Sequence, residues 1–273
     1  MMNALTSSAG HHIFVSLRRF VLFALALLAS ALPSIASATP AMTLIVPAYF
    51  TATGSGASGW SDLTTTAAEL PTTVILNPDN GPGKTADPAY IAAIEKVHAA
   101  GGRVIGYVYT SYAKRSLSKV VTDINAYVSL YKIDGFFIDN MTADSATSHL
   151  QYYQSVYNYI KGLSSSFSVT ANPGTNIPES YASLPAADQF VVFEDTAKHY
   201  ASYAPESWQA AYPVSRFVHI VYSASQSQVA GIVQYASKHG AGSVYVTSLG
   251  LPNPYKSLPS YWSQLVGDAL AVK

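Results

Sequence analysis

Two carboxylates stand at the ends of apolar runs, where they could do acid–base chemistry. The run "GFFID" closes on Asp139, and the run "QFVVFE" closes on Glu194. Two carboxyl groups that flank a glycosidic bond can hydrolyse it, because one protonates the leaving oxygen and the other acts as nucleophile or activates water. A carboxylate that caps the following helix is the alternative for each acid taken singly. As a pair, Asp139 and Glu194 predict glycoside hydrolysis.

Further polar and aromatic side chains fall at the ends of the other apolar runs. The chain has 20 Tyr and 10 Phe, and a tyrosine offers a flat apolar face with a polar tip that suits a sugar ring. His219 lies inside its run, so a hydrogen-bonded core histidine is the alternative there. We predict that eight residues bind substrate: Asn140, Tyr49, Asn77, Tyr107, Tyr109, Asn172, Asp195 and His219.

The elements that must position these residues recur along the chain. Eight short apolar, β-branched or aromatic runs alternate with segments of helical period, and continuous apolar runs are typical of parallel strands covered on both faces. They predict an α/β fold, a single (β/α)8 barrel with its active site at the C-terminal strand ends. A doubly wound open sheet is the alternative, but no Gly-rich phosphate turn follows an early run. The runs span residues 43–50, 73–77, 103–109, 135–139, 167–172, 189–194, 216–222 and 243–248.

The clearest predicted helix is "DPAYIAAIEKVHAAGG", residues 87–102. Pro88 follows Asp87 at a first-turn position, and Gly101 ends the segment. A second helix begins after Ser116, a residue type that favours the N-cap position. These residues predict where two of the helices begin and end.

The N-terminal 38 residues have the pattern of a cleaved signal peptide. Arg18 and Arg19 precede an uncharged apolar stretch, residues 20–35, and "ASA" follows at residues 36–38. A positive region, an apolar region and a small-residue end are typical of secretion signals. A membrane anchor is the alternative, but the apolar stretch is shorter than the roughly 20 residues that span a bilayer. We therefore expect residues 39–273 to form the secreted barrel domain, extracellular or periplasmic, without stable membrane association.

Composition limits the partners of that domain. Without Arg18 and Arg19, 13 of the 15 basic residues stand against 15 acidic ones, a formal net charge of −2. This balance disfavours nucleic acid as a partner. The chain has no Cys, which excludes disulfides and a thiol nucleophile, and it has no His-Glu-x-x-His metal motif. We expect a monomer that needs no metal or cofactor and whose partner is a polysaccharide.

Seven sequence segments stand in order along the chain: "VPAYF", "LNPDNGPG", "VIGYVYTSY", "DGFFIDN", "NPGT", "VVFED" and "HGAGSVYVTS". Together they resemble the spherulin-4-like family of secreted glycoside hydrolases. The resemblance implies a (β/α)8 barrel that acts as an endo-hydrolase on α-1,4-linked exopolysaccharide containing N-acetylgalactosamine. It also implies catalytic acids in an Asp-Glu pair after the fourth strand and in "FE" on the sixth. The first Asp of the pair falls on Asp139, and the strand-6 Glu falls on Glu194.

This chain departs from the family pattern at Asn140, where the second acid of the pair is expected. If Asp139 and Glu194 are the essential acids, Asp139 is nucleophile or base and Glu194 is general acid, with its pKa raised by burial or by its neighbour. Asn140 can then hydrogen-bond a substrate hydroxyl or N-acetyl group, and Asp195 can couple to Glu194. If the missing Glu transfers the proton, the protein is a carbohydrate-binding barrel with little or no turnover.

A chitinase-like glycosidase is a third hypothesis. Such enzymes carry Asp-x-x-Asp-x-Asp-x-Glu on the fourth strand, and here only Asp134 and Asp139 are present. Met141 and Thr142 follow Asn140, so the acidic end of that motif is missing. Asp134 begins the same strand, and we expect it to support the turn there.

Overall fold

Eight parallel strands close into a barrel in the computed structural model, which describes residues 42–272. Each strand pairs with the next along the chain, and β1 also pairs with β8. The predicted signal peptide, residues 1–38, lies outside the described residues, so its cleavage stays a prediction. The strands are β1 (Thr43–Ala48), β2 (Thr72–Leu76), β3 (Arg103–Tyr109), β4 (Gly135–Asp139), β5 (Ser168–Asn172), β6 (Gln189–Thr196), β7 (Phe217–Tyr222) and β8 (Ser243–Val246).

Helices follow the strands, as the alternating pattern predicts. The predicted (β/α)8 barrel is confirmed, although two of the described helices are single turns. The helices are α1 (Ala57–Glu69), α2 (Pro88–Ala99), α3 (Leu117–Leu130), α4 (Thr147–Leu163), α5 (Ser180–Ser183), α6 (Ala197–Tyr200), α7 (Val229–Lys238) and α8 (Trp262–Leu270). None of the helices within residues 42–272 is long and apolar enough to cross a membrane.

The strands are buried on both faces, which explains their continuous apolar sequence. Val46, Ile75 and Ile105 have essentially no exposed surface. The same holds for Val246 on β8, the strand that closes the barrel against β1. The hydrophobic residues of the barrel and of the inner helix faces form one continuous core. This core holds the strand ends in a fixed ring, which we call the mouth of the barrel.

Local signals place the helix ends as predicted at α2 and only partly at α3. The side chain of Asp87 accepts a hydrogen bond from the backbone N–H of Ala89 at 2.8 Å, and Pro88 occupies the first turn. Gly101, just beyond the helix, has φ +88°, a value that favours glycine. Ser116 stands at the N-cap of α3, but its side chain makes no capping hydrogen bond.

A bulge in β6 gives Glu194 its position at the mouth. The pairing of β6 with β7 shifts register between Val191 and Phe193. Gly174, in the loop after β5, bonds to both sides of the bulge: its N–H donates to Val191 O at 3.0 Å, and its carbonyl accepts from Glu194 N at 2.9 Å. Gly174 has φ +68°, so a residue with a side chain would be strained there. Bulges re-aim side chains in this way, and here the side chain is an acid.

Candidate active site

Asp139 and Glu194 meet at the mouth through a single amide group. The side-chain nitrogen of Asn172, at the end of β5, donates to Asp139 Oδ1 at 2.8 Å and to Glu194 Oε2 at 2.5 Å. The two oxygens are therefore at most about 5.3 Å apart, which does not exceed the roughly 5–5.5 Å between carboxyl groups in retaining glycosidases. Inverting enzymes leave about 6.5–9.5 Å for a water molecule. The spacing of the pair suits a nucleophilic carboxylate.

Asn172 is buried, with 6% of its surface exposed. Substrate binding by Asn172 stays a prediction, and in the structure both hydrogens of its amide nitrogen are directed to the acids. The strand pairing explains this arrangement, because Asn172 stands beside Asp139 in the β4–β5 ladder. Asn172 therefore positions the two carboxylates relative to each other.

Asp139 accepts two further hydrogen bonds, both from neutral groups. Its Oδ2 accepts from the hydroxyl of Tyr107 at 2.7 Å and from the side-chain nitrogen of Asn140 at 2.8 Å. With Asn172, three donors surround this carboxylate and fix its orientation. Asp139 is thus arranged as a carboxylate that can attack or act as a base.

Asn140 has a left-handed backbone, with φ +54°. Asn adopts this conformation more readily than Glu does, because its short polar side chain bonds locally. Here that local bond goes to Asp139, so the amide at the departure from the family pattern contributes to holding the first acid. Its carbonyl accepts from Tyr112 N at 2.7 Å.

Glu194 is the acid whose surroundings favour the protonated form. Burial raises the pKa of Glu194, and the nearby charge of Asp139 raises it further, while hydrogen bonds from Tyr255 and Asn172 act in the opposite direction. Tyr255 donates its hydroxyl to Glu194 Oε1. A raised pKa is what a general acid requires at near-neutral pH.

Three tyrosines form a wall beside the acids. The ring of Tyr49 packs edge-on against Tyr107, with centroids 5.5 Å apart, and against Tyr255, at 5.4 Å. Burial, followed by the charge of Asp139, raises the pKa of Tyr49 and of Tyr107. Both phenols therefore stay neutral. Tyr107 donates to Asp139, and the ring of Tyr49 packs between the other two rings.

Tyr255 was missed by the sequence analysis. It lies in the long loop between β8 and α8, at no strand end, so its position in the chain gives no sign that it faces the mouth. Its backbone carbonyl accepts from Tyr49 N at 3.1 Å, which ties this loop to the end of β1. The segment "NPYKS" that contains it has the turn-forming Asn and Pro of a loop, but no feature that predicts contact with an acid.

Asn77 and Tyr109 lie at the mouth without touching either acid. The side-chain oxygen of Asn77 accepts from Gly81 N at 2.8 Å, so Asn77 shapes the "NPDNGPG" loop. Tyr109, the last residue of β3, is 39% exposed. Its ring is free to meet a ligand that approaches the mouth.

Asp195 does not hydrogen-bond to Glu194, contrary to the coupling that we predicted. Its carboxylate accepts from Thr196 N at 2.6 Å and Tyr222 OH at 3.1 Å, and it contacts His199 Nδ1 at 2.8 Å. Burial raises the pKa of Asp195, but these hydrogen bonds outweigh it and the pKa is lowered. Successive residues of a strand point to opposite faces, which is why Asp195 turns away from the pair.

The prediction that His219 lines the site is wrong. His219 is fully buried, and its Nδ1 lies 2.6 Å from the hydroxyl of Tyr200 on α6. Tyr203 packs against the ring with centroids 4.7 Å apart. Burial, with a contribution from His239, lowers the pKa of His219 to about 3. It is a neutral core histidine between β7 and the helices.

Asp134, at the start of β4, supports the opposite end of the barrel as predicted. Its Oδ2 accepts from Val104 N at 2.7 Å and lies 2.8 Å from His98 Nε2. Within residues 42–272, no group of three or more His, Asp or Glu side chains is arranged to hold a metal ion.

Solved structures with similar folds are carbohydrate-active proteins. Sph3 of Aspergillus clavatus, in complex with GalNAc, superposes with a TM-score of 0.75 at 25% identity, over 85% of this chain and 99% of that one. A chitinase of Chromobacterium violaceum shares the fold alone, with a TM-score of 0.56 at 10% identity, over 85% of this chain and 100% of the chitinase. The fold and the paired acids define a barrel of the glycoside hydrolase type.

The family follows from the sequence itself. A family model described as Spherulation-specific family 4 matches residues 43–269, so the chain belongs to that family. Spherulin-4 of Physarum polycephalum is 35% identical over 202 residues, which cover 70% of this chain and 59% of the length of Spherulin-4. The chain thus spans less than two thirds of that relative.

Proposed function

We propose that this protein is an endo-acting glycoside hydrolase that cleaves α-1,4-linked exopolysaccharide containing N-acetylgalactosamine or galactosamine. The single observation that carries the proposal is the amide of Asn172, which holds Asp139 and Glu194 together at the mouth of the barrel. The sugar class is supported by the family resemblance and by the GalNAc bound to the similar Sph3. We further propose that the protein acts outside the cytoplasm, as a monomer.

The roles of the acids follow from their partners. Asp139, surrounded by three donors, attacks the anomeric carbon, while Glu194 protonates the leaving oxygen; the glycosyl–Asp139 ester is then hydrolysed by water that Glu194 deprotonates. Glu194 gives its proton to the leaving oxygen in the first step and takes a proton from water in the second. The short spacing of the pair supports this retaining course over a single displacement by water.

A second candidate function is carbohydrate binding without turnover. The observation that favours it is Asn140, an amide where the family pattern has an acid. In the retaining course above, the amide is sufficient, because it only donates to Asp139. If a third acid is required, the protein binds the polymer and leaves it intact.

The test incubates residues 39–273 with an α-1,4-linked galactosamine/N-acetylgalactosamine polymer and detects oligosaccharides by mass spectrometry. Glu194→Gln is the inactive control, and Asn140→Glu restores the acid of the family pattern. We expect products from the wild type and none from Glu194→Gln, with retained anomeric configuration by NMR. Retention of the polymer without products, together with turnover by Asn140→Glu, would establish the binding barrel. No retention and no products from any variant would reject both functions.

A further inference from the structure

A left-handed turn after β3 holds an exposed tyrosine beside the acids. Ser111, Tyr112 and Ala113 have φ values of +53°, +53° and +62°. Only glycine adopts this conformation without strain, and for other residues it costs roughly 1–2 kcal/mol each. Three such residues in succession persist only where the surrounding structure imposes the conformation. Strain of this kind is typical of functional sites, which makes the turn a candidate for a ligand contact.

The turn is fastened to the end of β4 by hydrogen bonds. Thr110 N donates to Asp139 O at 3.0 Å, and Tyr112 N donates to Asn140 O at 2.7 Å. The hydroxyl of Thr110 donates to the same two carbonyls, at 2.7 and 2.9 Å. The backbone of Tyr112 is therefore one hydrogen bond away from the residue that follows Asp139.

A second set of bonds closes the turn from its far side. Arg115 N donates to Thr110 O at 3.2 Å, and the Arg115 guanidinium donates to Tyr109 O at 2.9 Å and to Asp123 Oδ2 at 2.6 Å. Tyr152 OH donates to Arg115 O at 2.7 Å. All of these bonds use backbone or charged groups, and none uses the phenol of Tyr112.

The ring of Tyr112 is exposed to solvent. It is 51% exposed, and Tyr109, at the end of β3, is 39% exposed. Among the described residues, neither ring stacks on another aromatic side chain, whereas Tyr49 and Tyr107 pack tightly into the wall of the site. The left-handed backbone of Tyr112 costs free energy, and its exposed ring does not offset that cost by packing against the protein.

We propose that Tyr112, with Tyr109, is a sugar-stacking subsite for a pyranose ring of the polymer next to the bond that is cleaved. This inference rests on the proposed function, because it takes the occupant to be the same polysaccharide. Tyrosine rings match the flat apolar faces of sugars, and the fixed turn removes the ordering cost of the backbone at binding. The subsite binds a unit that does not react, so it contributes equally to the ground state and the transition state.

The experiment measures retention of the polymer on Glu194→Gln protein by affinity electrophoresis, so that binding is read without turnover. Tyr112→Ala in this background is expected to weaken retention by up to about tenfold, and Tyr112→Phe to preserve it. Tyr159→Ala, at a partly buried tyrosine of α4 that donates to Asn125 of α3, is the control and should retain the polymer fully. In the active protein, Tyr112→Ala should raise KM for the polymer and leave kcat unchanged.

The outcomes separate this inference from the proposed function. Equal retention by Tyr112→Ala and its parent, with both still bound to the polymer, would overturn the subsite and leave the hydrolase standing. A loss in both Tyr112→Ala and Tyr112→Phe would also overturn it, because stacking does not need the hydroxyl. If the parent protein itself is not retained, the proposed function fails and the subsite fails with it.

Discussion

An acid lies near each end of β4 and of β6, and the acids at the two ends of the barrel have different hydrogen-bond partners. At the lower end, where strands begin, Asp134 precedes β4 and Asp188 precedes β6. Asp188 accepts from Lys161 Nζ at 2.7 Å, from Val169 N at 2.8 Å and from Tyr157 OH at 3.0 Å. Asp134 accepts in the same way from the backbone of the preceding strand, β3, and it also contacts His98.

At the mouth, β4 and β6 present Asp139 and Glu194 with neutral partners. Within the described part of the chain, no Lys, Arg or His side chain pairs with either acid. A cation beside an acid favours its ionised form, whereas burial and a second acid favour the protonated form. The lower acids are therefore tied to basic side chains and to backbone N–H groups. At the mouth, burial and the charge of Asp139 raise the pKa of Glu194.

The largest expected effect separates the two ends by activity. Asp139→Asn and Glu194→Gln should each lower kcat/KM about 10³-fold or more, because each removes a group that bonds to the substrate or moves its proton. Asp134→Asn, the same substitution at the lower end, should leave kcat/KM unchanged. Oligosaccharide release under equal enzyme concentrations measures all three. A comparable loss in Asp134→Asn would contradict the division of roles.

A smaller effect separates the ends by stability. Asp188→Asn should lower the free energy of unfolding by about 2 kcal/mol, because it leaves Lys161 and Val169 N without a charged acceptor in a partly buried site. Its kcat should not change. Urea unfolding followed by circular dichroism gives the first value, and initial rates give the second. An unchanged midpoint would show that the lower acids do not stabilise the barrel.

Tyr255→Phe tests the hydrogen bond that the hydroxyl of Tyr255 donates to Glu194. We expect about a tenfold loss in kcat/KM, because Glu194 loses one of the hydrogen bonds that hold its side chain. The hydrogen bond from Tyr255 lowers the pKa of Glu194, so its removal should raise that pKa. Because Glu194 acts as the protonated acid, the alkaline limb of the pH–rate profile should move to higher pH. A shift to lower pH would be incompatible with Glu194 as the acid.

The smallest effect is a pH-dependent gain in stability from Glu194→Gln. The folded-state pKa of Glu194 is raised, so folding favours its protonated form. Its stabilising contribution is present below the pKa of the unfolded chain and is lost as pH rises through the folded-state pKa. Glutamine cannot ionise, so the variant should melt higher than the wild type at pH 8 and at the same temperature near pH 3. Calorimetry at both pH values checks the sign.

The sequence predicts the barrel and the acid pair for the same reason. Strands covered on both faces require unbroken apolar runs, and the acid that breaks such a run stands at its end. Asp139 and Glu194 could therefore be found from the runs that they close. The face of the strand on which a residue lies cannot be predicted in this way. In a strand that is buried on both faces, inward-facing and outward-facing residues are both apolar, so the sequence does not distinguish them. His219 was misplaced on that account, and so was the relation of Asp195 to Glu194.

The sequence by itself determined the number and order of the strands and the two acids that close the apolar runs of β4 and β6. The tertiary structure alone decided what surrounds those acids. Tyr255 reaches Glu194 from a loop 61 residues further along the chain, and the bulge that aims Glu194 depends on a backbone bond from Gly174 on the neighbouring loop. The local sequence pattern predicts which residues are buried and which segments are strands or helices. These contacts join residues far apart in the chain, so they form only when the closed barrel brings their loops together at the mouth.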